Sequence, residues 1–189
     1  LGHADERGVN DRFAVRVVVT AGAGGHLWAR PAGGAARSGG AFRHLPLTRE
    51  EEGVGICAGA ALAGRRPALF VQSSGIGNMI NALLSLTQFY ELPLAVFVSR
   101  RGVYQEKIEA QFPMGRRLPG MLAGAGIAFS EINTRDELAL VERGLERACS
   151  TNSIHAFLMS PAVWEGSECG ASKAECGVRS AECGISKTG

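Results

Sequence analysis

Pro67-Ala68-Leu69-Phe70-Val71-Gln72 and Leu94-Ala95-Val96-Phe97-Val98 are short, almost unbroken apolar runs, and their reading decides the fold. A strand with one wet face alternates apolar and polar residues, whereas a run that is apolar at successive positions has both faces covered. Between the two lies the glycine-containing stretch Ser73 to Gly77, read as a loop, and then Asn78 to Tyr90, read as a helix. Buried strands separated by helices are the mark of a parallel sheet flanked by helices. The fold class expected is α/β.

The same alternation continues in both directions. Upstream, Phe42 to Leu47 is a strand candidate, followed by a helix from Arg49 to about Ala63 with Val54, Cys57, Ala58 and Ala61 on one face. Downstream come a polar loop from Ser99 to Gly115, a helix from Arg116 to Ala125 and a short strand, Ile127 to Phe129. Leu138, Val141, Leu145 and Ala148 then mark a buried helical stripe, and Ile154 to Met159 is the last strand. Residues 42–164 therefore read as one domain.

The flanking zones differ. Residues 1–41 are rich in glycine, alanine and arginine; only Phe13 to Thr20 (13–20) suggests a strand, and Ala21 to Gly40 lacks hydrophobic periodicity. Gly22, Gly24 and Gly25 suggest a dinucleotide fingerprint, but position 27 is Leu27 and no helical pattern follows, so G-x-G-x-x-G is not met. Residues 165–189 form a tandem repeat, with Glu168-Cys169-Gly170, Glu175-Cys176-Gly177 and Glu182-Cys183-Gly184 at seven-residue intervals. A glycine beside each cysteine opposes a helix, and C-x₂₋₄-C metal spacing is missing. The tail reads as a low-complexity, disordered extension. Part of the N-terminal zone reads as a frameshifted translation, and the tail as read-through.

Composition narrows the functional class. Of 189 residues, 46% are hydrophobic, and the net charge of +2 is spread along the chain, so the basic stripe of a nucleic-acid binder is not visible. No apolar run approaches the ~20 residues of a bilayer span, and no signal peptide opens the sequence, so a cytoplasmic location is expected. Cys57 and Cys149 lie in helical patterns, and a disulfide framework is not expected.

Two segments carry chemistry. In Thr48-Arg49-Glu50-Glu51-Glu52-Gly53-Val54-Gly55-Ile56-Cys57-Ala58-Gly59, a capping box of Thr48 with Glu51 explains one acidic residue. The helix dipole accommodates Glu52. Glu50 is left near a strand end, where ligands bind in open α/β sheets. In Gln72-Ser73-Ser74-Gly75-Ile76-Gly77-Asn78-Met79-Ile80-Asn81, glycines and small polar groups let backbone approach a ligand, which makes Ser74, Gly75, Gly77 and Asn78 binding candidates. No Gly-Lys-Ser/Thr follows, so this is no Walker loop.

Read together, Thr48 to Ala60 and Val71 to Leu83 resemble the alpha subunits of the sulfopyruvate decarboxylases. The later Ser99-Arg100-Arg101-Gly102 and Glu106 to Arg116 are similar to the same subunits, and phosphonopyruvate decarboxylases share a looser version. The resemblance covers residues 42–161 and implies the pyrimidine-binding domain of a thiamine-diphosphate enzyme. It gives Glu50 the role of hydrogen-bonding N1′ of the cofactor's aminopyrimidine, with Glu51 the alternative one position away. Such a carboxyl needs a poorly solvated place where it can share a proton, and the cofactor acts as the electron sink for CO₂ loss. The Gly-Asp-Gly and Asn-Asn segments that hold diphosphate and Mg²⁺ in these enzymes do not occur here. The resemblance therefore implies a beta subunit carrying them, a hetero-oligomer with sites at its interfaces, and no metal ligands in this chain.

The implied substrate, sulfopyruvate, carries two anionic groups, for which Arg or Lys donors are expected. Arg100, Arg101, Lys107 and Arg116 lie in or beside the loop after an apolar strand. Arg101 and Gln111 rank first as substrate-binding residues. His44 and His155, among strand residues, read as structural. Rival readings are a decarboxylase of phosphonopyruvate or another 2-oxo acid, and a degenerate pyrimidine domain that binds without catalysing.

Overall fold

The computed structural model describes residues 43–164 and the backbone of residues 17–21. Among these, six strands make one sheet: β1 (Val17–Ala21), β2 (Arg43–Leu47), β3 (Pro67–Gln72), β4 (Leu94–Ser99), β5 (Ala128–Ile132) and β6 (Ile154–Met159). Their order is β2-β1-β3-β4-β6-β5, and every neighbouring pair is parallel. The connecting helices are α1 (Glu50–Leu62), α2 (Ser73–Ala82), α3 (Phe112–Gly124) and α4 (Ala139–Ser150). The chain is α/β, as its apolar runs dictate.

Those runs are buried on both faces. Leu69, Val71, Val96, Val98, Ala156 and Leu158 meet Val54, Ile76, Met79, Leu118 and Leu122 from α1, α2 and α3. On the other face Ala68, Ala95 and Phe157 pack with Val141 and Leu145 of α4. There Phe70, Phe97 and Phe157 stack across neighbouring strands, with centroids 4.6 and 4.8 Å apart. Each fully buried Leu, Ile or Phe contributes roughly 1.5–3 kcal/mol, so the two layers hold the sheet from both sides.

The segment read as a first strand is central rather than peripheral. β1 lies between β2 and β3, with Val19 opposite both Leu45 and Leu69. Residues 13–16, the rest of the N-terminal zone and the 165–189 repeat lie outside the described residues.

Several local expectations are corrected. The stretch 73–77 is not a loop: Gln72 is extended (φ −86°, ψ 159°), and α2 begins at Ser73. The loop after β4 is shorter than expected, because α3 starts at Phe112 with Pro113 in its first turn, where a missing N–H is harmless. The capping box is not formed either. α1 begins at Glu50, so Arg49 occupies the N-cap position and Thr48 falls one residue outside; Glu51 is instead gripped by Arg49 Nε and Nη2 at 2.8 and 2.5 Å. β5 runs to Ile132 rather than ending at Phe129. Leu138 precedes α4 in a 3₁₀ turn and is exposed, while Gly144 provides the close face of that helix against Phe157 and His155.

Two helices are irregular for identifiable reasons. α2 widens into a π-helical turn over Leu83–Gln88, and within it the buried Thr87 hydroxyl has no hydrogen-bond partner among the described residues. A π turn displaces the carbonyl four residues back, the usual acceptor for a helical threonine. α3 carries Pro119 in its interior. Proline removes the bond to the carbonyl four residues earlier, which is that of Gly115, and Arg100 Nε approaches this oxygen at 3.5 Å. Among the described residues no helix is long and apolar enough to cross a membrane.

Candidate active site

β2 lies on one side of β1 and β3 on the other, so the strand order reverses around β1. In open parallel sheets the crevice beyond the carboxyl ends at such a reversal is where ligands bind. The chain turns from β2 through Thr48 and Arg49 into α1, whose first residue is Glu50, and from β3 directly into α2. Two helix starts are thereby set side by side.

Glu50 is half-buried and its side chain lies across the first turn of α2. A Cβ at Gly75 would stand 2.7 Å from Glu50 Cγ, 3.0 Å from Oε1 and 3.1 Å from Cδ. One turn along α2, Asn78 Nδ2 donates to Glu50 Oε2 at 3.2 Å. Gly77 serves a second approach, since a Cβ there would lie 2.8 Å from Met114 Cε of α3. Both glycines are helical residues kept small by what packs on them. Glu51 points elsewhere, its carboxyl held below the usual range by its own backbone N–H and by Arg49. Of the consecutive glutamates, Glu50 is the one that meets Gly75 and Asn78.

The loop after β4 closes over the start of α2. Arg101 donates its backbone N–H to the buried Ser73 Oγ at 3.2 Å. Its guanidinium is taken by Glu106, with Nε to Oε2 at 2.6 Å and Nη2 to Oε1 at 2.7 Å. Glu106 also accepts the backbone N–H groups of Gly102, Lys107 and Ile108 at 3.0 to 3.2 Å. The Arg101 guanidinium, opposed by desolvation and aided by the N–H groups of Ile108 and Gly102, pulls the Glu106 carboxyl down to about 2. Gly102 (φ +73°) and Gln105 (φ +49°) supply the left-handed turns of this clasp. α3 presses against it so closely that a Cβ at Gly115 would stand 1.7 Å from the Arg101 carbonyl oxygen.

The residues singled out from the sequence thus fall into two groups. Glu50, Gly75 and Asn78 come together, with Gly77 beside them under Met114. Ser74 is exposed and donates to Gln72 Oε1 at 3.2 Å. Arg101 is committed to Glu106, and Arg100 forms an ion pair with Glu131. Gln111 is half-buried and meets the clasp through its backbone carbonyl, which a Cβ at Gly102 would approach to 2.4 Å. Lys107 is exposed, and the exposed Arg116 stacks its guanidinium over Phe112 at 5.0 Å. His155 is buried and bonds Ser130 Oγ through Nε2 at 3.0 Å, a structural placement. Ser73, Glu106 and Met114 were not identified as site residues in the sequence: Ser73 and Met114 meet partners distant in the chain, and Glu106 is bound within a loop that carries no periodic signal. Among the described residues no three His, Cys, Asp or Glu side chains converge as metal ligands.

No protein-family model matches the sequence. Individual relatives do. Over 133 residues, 70% of this chain, it is 50% identical to the sulfopyruvate decarboxylase of Methanosarcina acetivorans, of which it spans 34%. It is 41% identical over 125 residues to the sulfopyruvate decarboxylase subunit alpha of Methanococcus maripaludis, covering 66% of this chain and 75% of that one. A phosphonopyruvate decarboxylase of Streptomyces viridochromogenes is 39% identical over 82 residues, 43% of this chain and 21% of that one. The chain therefore spans about a third of the longer Methanosarcina relative but three quarters of the alpha subunit from Methanococcus. On that match the chain belongs to the sulfopyruvate decarboxylase family, aligned with its alpha subunit.

Proposed function

We propose that this chain is the alpha subunit of a two-subunit, thiamine-diphosphate-dependent decarboxylase that converts sulfopyruvate to sulfoacetaldehyde and CO₂ in the cytoplasm. The observation that carries the reading is Glu50: a carboxylate at the reversal of a parallel sheet, laid on Gly75 and bonded by Asn78. The residues present fit an aminopyrimidine. Glu50 lies in the place a Gly75 Cβ would take, and its Oε1 accepts no hydrogen bond among the described residues, which leaves an acceptor for a ring nitrogen.

Thiamine diphosphate, when bound, supplies the electron sink that lets a 2-oxo acid lose CO₂. This chain's part is to present a carboxyl that holds and returns one proton at Oε1. Gly75 lets the Glu50 side chain lie against α2, and Met114 packs an apolar group over Gly77 beside it. Diphosphate and Mg²⁺ are assigned to a beta subunit. Two matches support a partner: the alignment fills most of a relative named subunit alpha but only a third of the longer sulfopyruvate decarboxylase. The higher identity to the sulfopyruvate relatives favours sulfonate over phosphonate as the anionic group. For that anion, the exposed Lys107 and Arg116 are left outside ion pairs among the described residues, whereas Arg100 and Arg101 are held by Glu131 and Glu106.

The test is decarboxylation by the purified two-subunit complex with thiamine diphosphate and Mg²⁺, offered sulfopyruvate, phosphonopyruvate and pyruvate in parallel. Turnover of sulfopyruvate that needs both chains and is lost in Glu50→Gln is expected. A well-assembled complex indifferent to Glu50→Gln would remove the catalytic reading and leave a binding module.

A further inference from the structure

We propose that Asn78 is the positioning residue for Glu50, and that it gives the two carboxylate oxygens different tasks. This deepens the functional reading above and rests on it. Asn78 and Gly75 are three residues apart and so share one side of α2. Gly75 leaves a groove in which the Glu50 side chain lies against the helix, and Asn78 closes the end of that groove by donating Nδ2 to Oε2 at 3.2 Å. Oε2 is thereby occupied. Oε1, at 3.0 Å from the position of a Gly75 Cβ, is the oxygen presented for proton exchange.

The chemistry of the amide suits the task. A glutamate on the first residue of a helix, half-exposed to water, rotates among several conformers unless something restrains it. An amide N–H donor restrains it without adding charge. Arginine or lysine in its place would stabilise the ionised carboxyl and hinder protonation, and aspartate would share the proton. Only the Nδ2 side of the amide can face a carboxylate, because Oδ1 is an acceptor. Asn78 is exposed and 28 residues away from Glu50 in the chain, so the bond ties the start of α1 to the middle of α2 rather than building either helix.

The experiment uses the two-subunit complex loaded with thiamine diphosphate and Mg²⁺, without substrate. It measures deuterium exchange at the cofactor's C2 position against pH, the cofactor's Kd and the thermal midpoint, for wild type, Asn78→Ala, Asn78→Asp and Glu50→Gln. Loss of one hydrogen bond to a charged group predicts exchange slowed about 10- to 100-fold in Asn78→Ala, with the midpoint unchanged. Asn78→Asp keeps the shape but sets a second carboxylate beside Glu50, and the acid limb of its exchange profile should move to higher pH. A merely structural residue would not move that limb. Wild-type rates and profiles in both Asn78 variants, with exchange abolished in Glu50→Gln, would overturn the positioning role and leave Glu50 standing. Undiminished exchange in Glu50→Gln would instead remove the functional reading, and this inference with it. Should Asn78→Ala fail to assemble, the isosteric Asn78→Asp profile decides alone.

Discussion

Glu50 and Gly75 touch: the glutamate side chain occupies the place where any residue but glycine would put a Cβ, 2.7 Å from Glu50 Cγ. The neighbour that a methyl would meet is a flexible side chain, not backbone, so it can swing aside. Alanine is also the better helix former by about 1 kcal/mol. Gly75→Ala is therefore expected to change the thermal midpoint by little in either direction while displacing Glu50. Decarboxylase activity should fall at least about 100-fold, the scale set by misplacing a catalytic group by an ångström. Circular dichroism melting and initial rates, measured on one preparation, check both halves.

Gly115→Ala should behave in the opposite way. A Cβ there would stand 1.7 Å from the Arg101 carbonyl oxygen and 2.7 Å from its carbon, and backbone cannot swing aside. Overpacking in a tight core costs about 1–3 kcal/mol, occasionally more, and the upper end applies here. Denaturant titration should show loss of stability on that scale, along with faster proteolysis at residues 102–111.

Acid should leave the Arg101–Glu106 clasp intact longer than an ordinary carboxylate would allow. Glu106 falls from its usual 4.5 to about 2, chiefly through Arg101. A carboxyl depressed in the folded state gives stability that is complete above its unfolded value and disappears as pH falls through the folded one. That contribution is thus full above about 4.5 and lost on the way down to about 2. Glu106→Gln should remove this acid limb from a plot of stability against pH. At neutral pH it should cost roughly 1–3 kcal/mol, since three backbone N–H groups and the guanidinium lose a charged acceptor.

His155 predicts a second limb at milder pH. It is 6% exposed, its Nδ1 has no partner among the described residues, and burial, with a smaller effect from Arg147 of α4, lowers its pKa below 6.5. The unfolded chain then binds a proton that the folded chain refuses, so stability falls as pH drops below about 6.5 and levels off beneath the folded value. Nε2 faces Ser130 Oγ, and the ring packs on Phe157. His155→Phe should flatten this limb in urea titrations at pH 5 and 7; an unchanged pH slope would show that another group titrates.

Much of the sheet could be read locally. β3, β4 and β6 announce themselves as apolar runs because a strand covered on both faces has no polar position to show. β1 was readable as a strand but not as a central one, since pairing with β2 and β3 at once is a property of topology. Periodicity also misplaced the starts of α2 and α3. Gly75, Gly77 and Gly115 look like loop residues when only propensity is weighed. Their reason for being glycine is a partner on another element: Glu50, Met114 and the Arg101 carbonyl.

By itself, then, the sequence determined the α/β class and the position of Glu50 just after a strand, both of which follow from hydrophobic pattern and local order, but not that β1 of the N-terminal zone belongs to the middle of the same sheet. Only the tertiary structure decided that Glu50 rather than Glu51 meets Asn78, and that Arg101 spends its guanidinium on Glu106. The physical reason is range. Burial is proportional to area and leaves its mark on every third or second residue, whereas a hydrogen bond between side chains 28 residues apart exists only once two helix starts have been brought side by side by the sheet.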